Sequence, residues 1–211
     1  MFAFFLTSVA LTSAGRSRKR LLVDIPKGGP RDALQVFANG GIATLCAIVA
    51  GCITHGGIPS ETAYALFWAY AGAYAAATAD TWSTEIGSAF GGTPRSLVGF
   101  QPVAPGISGG VTVLGSAAML AGAAWIALVS GEFFIVTAAG VAGALVDSLL
   151  GATLQSMRYC PQCTRPTETA THACGSATTP LRGLTWMTND AVNTVATLTG
   201  AVVAAVLFLL R

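Results

Sequence analysis

Charge is scarce in this chain: only 9% of its 211 residues are Asp, Glu, Lys or Arg, against roughly 25% in soluble domains. With 53% apolar residues and a mean hydropathy of +0.65, that scarcity excludes an ordinary soluble globule and indicates a membrane protein. A cleavable secretory leader is not expected at the opening either. The opening "MFAFFLTSVALTSAG" has an apolar run of only about a dozen residues with its basic cluster behind it, the reverse of a secretory signal. It reads as a short N-terminal helix, a span cut short. No internal repeat is visible, and no glycine-rich stretch has Walker A spacing.

What is present is apolar length. A hydrocarbon core of about 30 Å takes about 20 apolar residues to cross as a helix, and the stretches 36–54, 61–79, 107–130, 133–157 and 189–210 qualify. The expected fold is all-α: a polytopic helical membrane bundle of five full spans plus the short N-terminal helix, one membrane domain over 1–211. Small residues such as Gly72 with Ala76, and Gly143 with Gly151, suit close helix packing.

The few basic residues are one-sided. Arg16, Arg18, Lys19, Arg20, Lys27 and Arg31 precede the first full span, Arg95 follows the second, and Arg158, Arg165 and Arg182 follow the fourth. The intervening "HGGIPS" (55–60) and "SGE" (130–132) have none, and Arg211 ends the chain. By the positive-inside bias, loops 13–35, 80–106 and 158–188 are expected in the cytoplasm and the C-terminus outside.

Ionisable groups within membrane helices are costly and usually functional. Arg31, Gln35 and Asn39 recur every four residues, with Asp32 beside them. Asp80 and Thr84 share a face in "ATADTWSTEIGSAFGG", with Glu85 a turn and a half beyond Asp80; Asp147, Gly151 and Gln155 form another stripe, and Asp190 and Asn193 open the last span. The topology places Asp80, Glu85, Asp147 and Asp190 at similar depth on the same side. Gathered carboxylates repel one another, and a hard cation such as Mg²⁺, held by one or two carboxylates with phosphate and water, relieves the conflict. The plainer alternative is that Asp80 and Asp190 pair with Arg31, Arg95 or Arg182.

Two glycine-rich turns suit an anion. "GGTPRS" (91–96) carries Arg95, and "PGISGGVT" (105–112) offers Ser108, Gly109 and Gly110 ahead of a helix start, where backbone N–H groups favour phosphate. Either turn can equally be a turn alone. In "RYCPQCTRPTETATHACGS", Cys160 and Cys163 followed by His172 and Cys174 make a three-Cys, one-His set suited to structural Zn²⁺, with free thiols as the alternative. Cys46 and Cys52 fit apolar packing, and His55 has no evident partner.

The segments "FFLTSVALTSAG", "KGGPRDALQVFANGG", "ADTWSTEIG", "GISGGVT", "GALVDSLLGATLQS" and "LRGLTWMTNDAVN" resemble, over nearly the whole chain, the integral membrane family labelled domain of unknown function 92, which includes phytyl-phosphate kinase of plants and cyanobacteria. Members usually carry further hydrophobic sequence ahead of "FFLTS". The resemblance implies transfer of the terminal phosphate of a nucleoside triphosphate, CTP expected, to phytyl phosphate or a similar isoprenyl monophosphate. The motif positions it brings forward are Asn39, Asp80, Glu85, Asp147, Asp190 and Asn193.

Phosphoryl transfer asks mainly for positioning and charge neutralisation. Asp80, Asp147 and Asp190 are expected to hold Mg²⁺, with Glu85 a ligand or a support. Asn39 and Asn193 would donate to phosphate or ribose oxygens, while Lys27, Arg31 and Arg95 clamp anions. The expected surroundings are the lipid bilayer; nucleic acid is not expected as a partner, and a homodimer is left open. A cytidylyltransferase forming a CDP-lipid, or a transporter using Asp147, are the alternatives.

Overall fold

Oxygen side chains start most of the helices. A helix leaves its first N–H groups without internal partners, and Asp32, Ser60, Thr112 and Thr188 each accept one, from Gln35, Ala63, Gly115 and Ala191 respectively. A computed structural model describes residues 1–19, 32–55 and 60–211 of the protein. The expected anion clamps Lys27 and Arg31 lie outside the described residues. Six helices are described: α1 (Phe2–Lys19), α2 (Ala33–Thr54), α3 (Glu61–Phe90), α4 (Val113–Ser130), α5 (Phe133–Thr153) and α6 (Asn189–Leu209).

The expectation of five full spans is corrected to four. Among the described residues, α2, α4, α5 and α6 are long and apolar enough to cross a membrane; α1 is apolar only over Phe2–Gly15. The stretch 61–79 drops out although it belongs to the longest helix, the 30-residue α3. Its composition is the reason. Alanine and tyrosine stand where the other spans carry leucine, isoleucine and valine, because α3 lies at the centre of the bundle. Every residue from 71 to 79 is buried, so no face there needs a bulky side chain for lipid, and a helix covered all round is an interior helix.

Close approach makes that centre possible. At the α3–α6 crossing, a Cβ added to Gly72 would lie 2.3 Å from the Gly200 carbonyl oxygen, and one added to Gly200 would lie 2.5 Å from the Gly72 oxygen. Only hydrogen fits on either side. Nearby, the Thr197 hydroxyl on α6 donates to the Ala38 carbonyl of α2 at 3.1 Å, and Phe4 of α1 packs against Tyr74 of α3 with ring centroids 5.7 Å apart.

Two small sheets occupy the end of the bundle where α3 and α5 finish and α4 and α6 begin. Strands β1 (Arg95–Ser96) and β2 (Gly110–Val111) pair antiparallel. β3 (Met157–Cys160) lies between β4 (Arg165–Thr167) and β5 (Thr179–Arg182), antiparallel to both. These strands shorten two expected spans: α4 begins at Val113 rather than 107, and α5 ends at Thr153 rather than 157. Gln155 therefore leaves the Asp147–Gly151 stripe. In the other direction, α3 continues to Phe90, so Asp80 and Glu85 stand on helix instead of loop.

Substituting Gly72→Ala is expected to destabilise the bundle by about 1–3 kcal/mol through overpacking, measured as a lowered thermal midpoint in detergent. Gly51→Ala on α2, where an added Cβ meets nothing within 4 Å, is the control and should not lower the midpoint.

Candidate functional site

Five helices and one turn line a polar cavity of about 160 Å³. α3 contributes Asp80 and Glu85, α5 contributes Asp147, α2 contributes Asn39, and α6 contributes Asn193. The Ser108–Gly110 turn closes another side. Five of these residues come from segments separated by tens of positions in the chain, so only the bundle brings them together. Asn193 is buried, while Asp80, Glu85, Asp147 and Asn39 are half-buried.

The fourth expected carboxylate stands apart. Asp190 is half-buried on the first turn of α6, yet its neighbours Asn189 and Asn193 line the cavity and it does not. Its backbone carbonyl accepts from the Thr194 hydroxyl at 2.8 Å. Arg95 is also outside the lining: it is exposed, and its guanidinium donates to the Phe100 carbonyl at 2.9 Å. Asp32, beside the α2 stripe in sequence, caps α2 through the Gln35 N–H at 2.9 Å.

The cavity also takes hydroxyls, of which the motif reading reaches Thr84 and passes over the rest. Thr84 and Ser88 follow Asp80 at four-residue intervals on α3 and line the same wall, joined by Thr12 of α1 and Ser148 of α5. The 80–84–88 spacing is a legible signal, since residues four apart share a helix face. Among the described residues, the group of three or more His, Cys, Asp or Glu side chains whose ligand atoms lie within 4.8 Å of one another is the cysteine cluster.

The 108–110 turn is held tightly. Gly109 has φ +79°, in the left-handed region open to glycine, and an added Cβ would sit 2.3 Å from the Ala152 backbone nitrogen at the end of α5. The Gly110 N–H donates to the Ile107 carbonyl at 3.2 Å, and the buried Ser108 hydroxyl donates to the Glu168 carboxylate. Of the groups expected to meet phosphate, these two are therefore already engaged within the protein. Glu168 is a residue that the motif reading does not reach, because nothing in its spacing ties it to position 108.

Cys160, Cys163, His172 and Cys174 do converge. The Cys160 and Cys174 sulfurs are 3.7 Å apart, close to the ~3.8 Å edge of a tetrahedron with Zn–S bonds of about 2.3 Å. His172 Nδ1 lies 3.2 Å from the Cys174 sulfur, and the Cys163 N–H points at the Cys160 sulfur at 3.4 Å. Burial pushes the Cys160 thiol up, but the Cys163 N–H, the Cys174 thiol, the Gln162 N–H and the Cys163 thiol together outweigh it and leave it lowered. Cys163 is pushed up to about 11, first by its hydrogen bond with Cys174 and then by burial. Soft ligands at tetrahedral spacing make this a candidate structural metal site.

Comparison with known proteins bears on the whole chain. The family described as integral membrane protein DUF92 matches residues 1–201. Protein PGR of Arabidopsis thaliana is 35% identical over 186 residues, covering 76% of this chain and 65% of that protein. An uncharacterised membrane protein of Methanocaldococcus jannaschii is 33% identical over 162 residues, covering 72% and 62% respectively. Another from Synechocystis is 25% identical over 213 residues, covering 97% and 70%. The chain thus spans just under two thirds of the length of the Arabidopsis and Methanocaldococcus proteins. No solved structure matches it. With nearly all of its length matched and its apolar helices gathered around one polar cavity, this chain belongs to the DUF92 family of integral membrane proteins.

Proposed function

We propose that the cavity is the phosphoryl-transfer site of a membrane-embedded isoprenyl-phosphate kinase, which moves the terminal phosphate of a nucleoside triphosphate, CTP in the first instance, to phytyl phosphate or a similar isoprenyl monophosphate. The observation that carries this reading is the meeting of Asp80, Glu85 and Asp147 with Asn39, Asn193 and a glycine turn around one space. Oxygen ligands and amide donors are what a cation–polyphosphate pair requires. At about 160 Å³ the cavity is smaller than the roughly 300–1,000 Å³ typical of pockets for whole drug-sized ligands. It suits the phosphates, with the base and the isoprenoid tail outside it.

The donor set fits Mg²⁺, which takes one or two carboxylates and completes its shell with water and phosphate oxygens. Asp80 and Asp147 are the residues to hold it, with Glu85 in support, and the ion would neutralise the polyphosphate charge. Asn39 and Asn193 orient phosphate oxygens through their amide N–H groups. An oxygen of the acceptor monophosphate attacks the terminal phosphorus; the bond from that phosphorus to its bridging oxygen breaks, and the nucleoside diphosphate leaves with the electron pair. No side-chain base is needed, because a phosphate monoester with a second pKa near 6 is already largely dianionic at neutral pH.

The cavity end is proposed to face the cytoplasm. Arg95, Arg158, Arg165 and Arg182 all lie in the connections at that end, whereas Arg211 follows α6 at the other, which matches the positive-inside bias. The C-terminus then lies outside. Zn²⁺ is the proposed occupant of the cysteine cluster, where four ligands leave no open position and give it a structural role.

Purified protein supplied with phytyl phosphate, Mg²⁺ and CTP should form isoprenyl diphosphate and CDP. Release of pyrophosphate with a CDP-lipid would make it a cytidylyltransferase instead, and solute uptake by vesicles without nucleotide turnover would make it a transporter. Asp80→Ala and Asp147→Ala should each cost about 10²–10³ in rate with insertion unaffected, and Asp190→Ala should cost less. Elemental analysis of the wild type should find about one zinc per chain, lost in Cys160→Ser.

A further inference from the structure

The cysteine-rich segment does more in this fold than close on itself. Between its two ligand pairs, Cys160 with Cys163 and His172 with Cys174, lies Glu168, one residue beyond β4. The Glu168 carboxylate accepts the hydroxyl of Ser108, a residue in the wall of the polar cavity. At the end of β5, Arg182 donates to the Ala152 carbonyl at 2.9 Å and to the Gly151 carbonyl at 3.0 Å, and reaches the Ser108 carbonyl at 3.5 Å. These two side chains grip the same turn from the same small sheet.

What they grip has no slack. Gly109 is pressed onto Ala152, and a Cβ on Gly151 would lie 2.8 Å from the Gly109 nitrogen, so the turn and the end of α5 share one backbone contact. Asp147 is one helical turn before Gly151, on the same face. A shift of the turn is therefore a shift of the cavity wall facing Asp147. Burial lowers the Arg182 pKa while the Glu168 charge raises it, as expected of an ion set into this contact instead of into solvent.

We propose that the metal-binding segment is the positioning device of the cavity: closing Cys160, Cys163, His172 and Cys174 on a zinc ion holds β3, β4 and β5 in register, and Glu168 and Arg182 transmit that order to the Ser108–Gly109 turn. Both are positioning residues. The strands are short, at four, three and four residues, and a sheet of that size has little stability of its own. A metal that favours the folded segment stabilises whatever the segment holds. The inference rests on the metal reading of the cluster and is independent of which reaction the cavity performs.

Hydrogen exchange on the full chain in detergent, read by mass spectrometry beside zinc content, tests it without any substrate. Stripping zinc with a chelator should speed exchange over 157–182 and also over 106–112, by about tenfold or more for the loss of a charge-assisted contact, while the far end of α4 stays unchanged. Glu168→Ala should retain its zinc and speed exchange over 106–112 alone, and Glu168→Gln, which keeps an acceptor oxygen for Ser108, should restore most of the protection. Unchanged exchange over 106–112 after stripping, or in Glu168→Ala, would overturn the proposal. So would wild-type protein that neither carries nor takes up zinc.

Discussion

An ionised oxygen inside an apolar helix bundle must face something other than hydrocarbon, and the rest of this structure depends on how that constraint is met. Intramembrane carboxylates cost several kcal/mol if exposed to lipid. Here Asp80, Glu85 and Asp147 turn toward a common cavity at one end of the bundle, with Asn39 and Asn193 completing a wall of oxygen and amide groups. A chain with nine acidic residues in all places a third of them around one space. That concentration is the physical basis for reading the cavity as a cation–phosphate site.

The cavity exists because the bundle's centre is made of small residues. α3 is buried on every face between 71 and 79, and glycine meets glycine where it crosses α6. Helices that approach so closely can carry polar residues on several neighbours to within reach of one ligand. In a membrane, where apolar surface alone gives little drive for helix association, such packing supplies much of the cohesion. The Thr197–Ala38 hydrogen bond between α6 and α2 adds a directional contact just below Asn39 and Asn193, so the two amides hang from helices that are tied together.

Much of the site is legible in the sequence because scarcity marks it. In an apolar chain, each stretch with Asp or Asn at helical spacing stands out, and Asp80, Glu85, Asp147, Asn39 and Asn193 meet as their positions along the helices require. The cysteine cluster is equally legible, since its four residues lie within one short segment. Three features are not. Four helices rather than five are long and apolar enough to cross a membrane, because the run of apolar letters over 61–79 is mostly alanine and tyrosine, small or weakly apolar residues that suit the bundle's centre. Asp190 sits a single residue from the cavity-lining Asn189, and periodicity does not resolve which residues at a helix start reach the cavity lining. Glu168 and Arg182 touch the 108–110 turn only through tertiary folding of the connection between α5 and α6, and sequence spacing carries no record of that contact.

The central claim is that oxygens from separate helices bind a divalent cation together with a polyphosphate. Electron paramagnetic resonance of Mn²⁺ added to the purified protein with CTP measures this directly. The account predicts a bound-ion signal with phosphorus hyperfine coupling that requires both the nucleotide and an intact Asp147, and that disappears in Asp147→Asn. A Mn²⁺ spectrum indistinguishable from that of the ion with CTP in buffer, or one unaffected by that substitution, would contradict it.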